Sequence, residues 1–185
     1  MSTLEPAMDV TAIVYTSKHG HTKKYADLLA KKFHLPAYTP AEAAKALRED
    51  ERVIYLGWMR KAKIMGLVDA LQRYRVCCVC AVGMMPMGGM ANEETRKQNA
   101  IAQDIAVFYL QGGFCYNDTS GMDRFIMKTV KRGIIPMLEN KVHPEPDEAC
   151  MIRMFREGAN CVSIDNLKEV IAWYRGRETA DVTDD

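Results

Sequence analysis

The sequence predicts an α/β domain built on a doubly wound, five-stranded parallel sheet with helices on both faces. Three observations lead there. Short β-branched apolar runs alternate with segments of helical spacing, the pattern of successive βαβ units. The run Val76 to Val82 is apolar at every position, as expected of a central strand covered on both faces. No internal repeat or linker interrupts the 185 residues, which are 48% hydrophobic and 26% charged, enough for one domain with a sizeable core.

The elements follow in order. Val10 to Tyr15 is the first strand, and a polar turn separates it from a helix over Thr22 to Phe33. In that helix Tyr25, Leu28, Leu29 and Phe33 recur at helical spacing, with lysines on the other side. Leu35 to Tyr38 is a short second strand. Thr39-Pro40-Ala41-Glu42 starts the next helix, with Thr39 as N-cap, Pro40 at the first position and Glu42 three residues on. Arg52 to Gly57 is the third strand, Ile64 to Tyr74 a helix, Val76 to Val82 the fourth strand, Asn92 to Ala102 a helix and Ile105 to Leu110 the fifth strand. An extra piece follows, about Gly112 to Pro146, with a helix from roughly Met122 to Glu139. Cys161 to Ile164 reads as a last extended segment, and Asp165 as the N-cap of a final helix to Tyr174. Right-handed crossovers and an apolar central strand suit the order 2-1-3-4-5, in which ligands bind beyond the carboxyl ends of the strands at the point where the order reverses. One domain is expected over 1–177, with 178–185 a disordered acidic tail.

Composition excludes some classes. The net charge is +1, from 25 basic and 24 acidic residues, so no bulk charge argues for nucleic acid. The first nine residues carry Glu5 and Asp9 and lack the basic start and apolar run of a secretory signal. No stretch approaches the ~18 apolar residues of a spanning helix, and a cytoplasmic location is expected. Six cysteines would suit disulfides only in an oxidising compartment. Cys77, Cys78 and Cys80 fall in the fourth strand and read as small buried hydrophobes. Cys115, Cys150 and Cys161 lack zinc-site spacing.

The turn after the first strand is Thr16-Ser17-Lys18-His19-Gly20-His21-Thr22. Amides at a helix N-terminus attract an anion through their unpaired donors and the helix dipole. Thr16, Ser17 and Thr22 add hydroxyls, and Gly20 lets the chain approach a phosphate closely. The turn lacks both the Walker ending and the Gly-x-Gly-x-x-Gly pattern. His19 and His21 enter as amide donors, since two histidines without further ligands make a poor metal site. No metal site and no catalytic acid–base pair or nucleophile is expected.

The run Ile13 to Thr22, followed by Ala26, resembles the signature of the flavodoxin family. That signature is an apolar strand with an aromatic end, then a hydroxyl-rich turn with a small residue two before a threonine. The chain departs from it at Ala30, where the family has a larger aliphatic residue. The resemblance extends more weakly over most of the chain. It implies a flavodoxin-like three-layer sandwich and FMN as the cofactor, its phosphate held by Thr16, Ser17, Lys18, His19, Gly20, His21 and Thr22. The turn's own physics says only phosphate.

Two later turns are implied to hold the flavin ring. One is Gly57-Trp58-Met59-Arg60 and its continuation to Lys63, where Trp58 offers a broad face for stacking. Trp58 also suits simple packing at the sheet end. Arg60, Lys61 and Lys63 either favour a reduced, anionic flavin or form a solvated basic loop. The other turn is Gly83 to Met90, with Gly83, Met84, Met85 and Gly88 as ring contacts. Its four methionines are adaptable and lack the His or Cys partners of a copper site. This loop and the near-neutral charge depart from electron-transfer flavodoxins, which are commonly aromatic and acidic here.

In the late insertion, Phe114-Cys115-Tyr116 and Met122 to Lys128 look like the corresponding part of flavodoxin-type, quinone-dependent protoporphyrinogen oxidases. The helix carries Arg124, Lys128, Lys131 and Arg132 beside an apolar stripe. Such a helix either meets an anionic membrane or closes the domain core. Three readings follow: an FMN-binding redox protein that carries electrons between partners, a protoporphyrinogen oxidase-like enzyme delivering electrons to a quinone, and an interaction module on the same fold without cofactor. The partners implied are a redox protein, or a quinone or other small-molecule substrate, with peripheral membrane contact through 122–139.

Overall fold

The structure, a computed structural model, describes residues 10–114 and 121–182, with backbone alone for 121–127, 130 and 177–182. Cys115, Tyr116 and the side chains of Arg124, Phe125 and Ile126 therefore lie outside the described residues, as do residues 1–9 and 183–185. In chain order the elements are β1 (Ala12–Thr16), α1 (His21–Phe33), β2 (Ala37–Tyr38), α2 (Pro40–Ala46), β3 (Arg52–Arg60), β4 (Lys63–Ile64), α3 (Leu67–Arg73), β5 (Arg75–Gly83), α4 (Gly89–Gln98), β6 (Ala106–Gln111), β7 (Gly113–Phe114), α5 (Gly121–Glu139), α6 (Pro146–Glu157) and β8 (Ala159–Asn160). A 3-10 turn, Ile164–Leu167, leads into α7 (Lys168–Val182).

The parallel strands run in the order β2-β1-β3-β5-β6. This is the expected 2-1-3-4-5 once β4 is counted, a short strand antiparallel to β3. Side-chain alternation separates two cores. Ile13, Ile54, Leu56, Cys78, Cys80 and Leu110 face Tyr25 and Leu29 of α1 and Val170 of α7. Ala12, Val14, Val53, Tyr55, Val79, Ala81 and Val107 face Ala43 of α2 and Leu67 and Ala70 of α3. The apolar run read as the central strand is β5, paired with β3 and β6.

Local chemistry accounts for the helix starts. The Glu42 carboxylate accepts hydrogen bonds from the Thr39 amide (2.8 Å) and hydroxyl (2.7 Å), closing the start of α2 over Pro40. These bonds hold the Glu42 carboxyl below its ordinary range. Gly20 precedes α1 at φ 87°, a left-handed conformation that favours glycine.

Several features differ from the sequence reading: α4 spans Gly89–Gln98 in place of Asn92–Ala102, the short strand is Ala159–Asn160 in place of Cys161–Ile164, α7 runs on past Tyr174 to Val182, and four further differences follow. β3 continues through Gly57, Trp58, Met59 and Arg60 instead of turning there, because β4 folds back on it. The turn is Lys61-Ala62, both at positive φ. Asn99 holds it, accepting from the Ile64 amide (2.9 Å) and donating to the Ala62 carbonyl (3.0 Å). Ile64 accordingly lies in β4, and α3 begins at Leu67. Ser163, not Asp165, caps the last helical segment, its hydroxyl accepting from the Asp165 amide (3.2 Å). Beyond β6 the insertion holds a second helix, α6, packed on α5 through Ile135, Leu138, Met151 and Phe155. Finally, Cys150 and Cys161 form a disulfide, with α-carbons 6.1 Å apart.

Candidate functional site

The strand order reverses between β1 and β3, which pair from Ala12–Val53 to Thr16–Gly57. The turn Thr16 to Thr22 and the end of β3 flank this point. Helix geometry leaves the first amides of α1 without intrahelical acceptors. The Ser17 hydroxyl oxygen accepts from those of Gly20 (3.2 Å) and Lys23 (3.3 Å). Among the described residues, no protein acceptor takes the amides of His21 and Thr22. Among the described residues, a β-carbon placed on Gly20 would meet nothing within 4 Å.

The hydroxyls of the turn are not equivalent. Tyr55 Oη donates to the Met65 carbonyl (2.6 Å) and lies 2.8 Å from Thr16 Oγ1. A carbonyl only accepts, so the single Tyr55 proton is committed there and Thr16 is the donor to Tyr55. Thr16 is thus engaged beneath the turn. Burial of this phenol pushes it up to about 12, which keeps its proton in place. Thr22 is 1% exposed and lies within the protein body. Ser17 accepts two amides but keeps its own proton to donate. Lys18 and His19 are exposed.

His21 closes the turn from the other side. Its ring lies against Gly113, where a β-carbon would overlap its Nε2 atom, and its own β-carbon stands near Gly112. Burial, followed by Lys24 and His19 nearby, lowers its pKa from the ordinary 6.5, so the ring is neutral at pH 7.

The end of β3 meets the turn directly. The Lys18 ammonium lies 5.2 Å from the centre of the Trp58 ring, within cation–π range. Gly57 is required where it stands, because a β-carbon would come within 2.8 Å of the Met65 carbonyl and overlap Ile64. Met59 packs into the core with Tyr55 and Ile64, while Arg60 and Lys61 are exposed. Lys63 donates to the Gln98 carbonyl at the end of α4.

The loop from Gly83 to Met90 is anchored at three points. Gly83 accepts at its carbonyl from the Gly112 amide (2.7 Å). The Met85 amide donates to Tyr109 Oη (2.8 Å), and the Met87 amide to Asp147 Oδ2 (2.7 Å). The four methionines divide. Met84 packs on the insertion, Met87 on the sheet core, and Met85 and Met90 are 43% and 89% exposed. Gly88 and Gly89 face open space. The donor set of the first turn, its open glycine and the adjoining indole fit a phosphate with a flat ring beside it.

Sequence reasoning missed Tyr109, Asp147, Gly112 and Gly113. Tyr109 lies in an apolar run and reads as core. Asp147 carried a usable signal, since Glu145-Pro146-Asp147-Glu148 is a helix start of the Thr39 kind, with Glu148 accepting from the Glu145 amide (3.0 Å).

A cavity of about 350 Å³ lies on the α2–α3 face, between Val14, Pro40, Tyr55, Asp69, Arg73 and Tyr74, and contains no residue of the turn. Among the described residues, no group of three His, Cys, Asp or Glu side chains is placed to hold a metal ion. No helix among them is long and apolar enough to cross a membrane. No family model matches the chain, and it matches no curated protein and no solved structure.

Proposed function

We propose that the chain is a flavodoxin-like, FMN-binding redox protein that carries electrons between partners. One observation carries this reading: the turn Thr16 to Thr22, whose His21 and Thr22 amides no acceptor takes among the described residues, stands over the reversal point of the sheet beside Trp58. Open α/β sheets bind ligands at that point. The amides of the turn and the Ser17 proton would hold the phosphate, with the ring between Trp58 and the Gly83–Met90 loop. The flavin supplies the redox chemistry when bound. The chain orients it, and exposed Arg60 and Lys61 bring positive charge close by.

The test is direct. The purified chain, supplied with FMN and desalted, should retain a yellow chromophore that bleaches on anaerobic reduction. A colourless protein that ignores FMN in titration leaves only a flavodoxin-like interaction module.

A second reading has its own support. The α5–α6 pair packs against Met84 of the ring loop, and α5 exposes Lys128, Lys131 and Arg132. This suits an enzyme of the protoporphyrinogen oxidase kind that meets a quinone at an anionic membrane. Anaerobic turnover of protoporphyrinogen with menaquinone by flavin-loaded protein would favour it over a carrier, and no turnover removes it.

A further inference from the structure

The disulfide stands at the junction of the insertion and the Gly83–Met90 loop. Cys150 lies one turn after Asp147, whose carboxylate accepts from the Met87 amide. Cys161 donates its amide to the Gly112 carbonyl (2.8 Å), and the Gly112 amide donates to Gly83 (2.7 Å). Met84, between these two anchors, packs against the cluster of Cys150, Met154 and Cys161. The bond therefore ties together the two segments that hold the loop at Gly83 and at Met87, and it also backs the residue between them.

Other contacts also hold the insertion. The α5–α6 core and the β7–β8 pairing, Gly113 with Asn160 and Phe114 with Ala159, hold α6 and β8 by other contacts. Neither cysteine belongs to the two cores of the sheet. Both are 7% exposed, close below the surface. The thiols of Cys78 and Cys80, by contrast, are wholly buried in β5.

We propose that Cys150–Cys161 is a reversible dithiol/disulfide centre that clamps the Gly83–Met90 loop when oxidised and frees it when reduced. The reductant is a dithiol. One of its thiolates attacks either sulfur, forming a mixed disulfide and releasing the other cysteine. Its second thiolate displaces the first cysteine. Two electrons and two protons pass to Cys150 and Cys161, which end as thiols, and the dithiol ends as a disulfide. The inference deepens the proposed ring site, since this loop is the one read as meeting the ring.

Dithiothreitol titration of the folded, full-length protein tests the centre, with alkylation and mass spectrometry counting reduced Cys150 and Cys161. Hydrogen exchange, read without flavin, then compares oxidised protein, reduced protein and the C150A/C161A variant. Reduction without denaturant is expected, with exchange at Met87 about tenfold faster in both reduced and variant protein, the factor that ~1.4 kcal/mol supplies. The amides of Cys78 to Val82 should not change. A pair that resists dithiol in the folded protein overturns the proposal. So does reduction that leaves the loop unchanged, or that speeds exchange throughout β5, because the bond is then a general staple. Failure of FMN to bind, with this exchange pattern intact, removes the flavin reading and leaves the clamp.

Discussion

The Lys18 ammonium lies over the Trp58 ring, 5.2 Å from its centre, and so joins the turn after β1 to the end of β3. This contact spans the point where the strand order reverses. It puts the hydroxyl-rich turn and a flat aromatic face side by side, with the turn's cation between them.

Trp58 is expected to stack on the flavin ring. Trp58→Leu should weaken FMN binding roughly two- to tenfold, in line with the ~0.5–1.5 kcal/mol of an aromatic pair beyond its area, and Trp58→Phe should retain most of the affinity. Flavin fluorescence titration measures both. Equal dissociation constants for wild type and the Leu variant would remove Trp58 from the ring site.

Ser17 has two duties, and one substitution reads both. Ser17→Ala removes the acceptor for the Gly20 and Lys23 amides, which should lower stability by about 1 kcal/mol, the usual worth of a cap. It also removes a hydroxyl donor, which should weaken FMN by about 1.5–3 kcal/mol. Urea unfolding and FMN titration separate the two. A loss of stability with unchanged FMN affinity would make Ser17 a cap alone.

Two left-handed glycines should differ in cost. Gly66 sits at φ +79°, and a β-carbon there would overlap Tyr55 Oη and come within 2.7 Å of Thr16 Oγ1. Gly20, at φ +87°, faces open space. Gly20→Ala should cost about 1 kcal/mol of backbone strain, and Gly66→Ala clearly more, roughly 2–4 kcal/mol, as the Thr16–Tyr55–Met65 bonds are pushed apart. Similar unfolding midpoints for the two variants would contradict the close contact at Gly66.

His21 should make stability depend on pH. Its folded pKa lies below the ordinary 6.5, chiefly through burial. Below that value the unfolded chain binds the extra proton more readily, so stability rises with pH. The contribution is fully present above pH 6.5 and is lost as pH falls from there through the lower folded value. Urea midpoints taken from about pH 7.5 down to about pH 5.5 should fall more steeply for wild type than for His21→Gln. Identical slopes would show that the ring is solvated.

Much of the fold was legible because each signal was local and periodic. The apolar run of β5 could only be central, and Thr39-Pro40 with Glu42 announced α2 without tertiary help. At the candidate site, the strand-to-helix turn after β1 was legible from residue types and position. What stayed hidden depends on distant partners. Nothing near Gly57 shows that β3 runs on to Arg60, because the return strand is held by Asn99 of another element. The Cys150–Cys161 pairing joins two cysteines across the end of α6 and β8, and spacing alone does not select it among six. Thr16 looked like a phosphate donor, and only the position of Tyr55 shows where its proton goes.

Capture of the phosphate by the Thr16–Thr22 turn is tested most directly by comparing FMN with riboflavin, which lacks that phosphate, in calorimetric titrations of the same protein. The expected result is FMN binding about 100-fold tighter, the equivalent of two charge-assisted hydrogen bonds at ~1.5 kcal/mol each. Equal affinity for the two, or heat from neither, would contradict it.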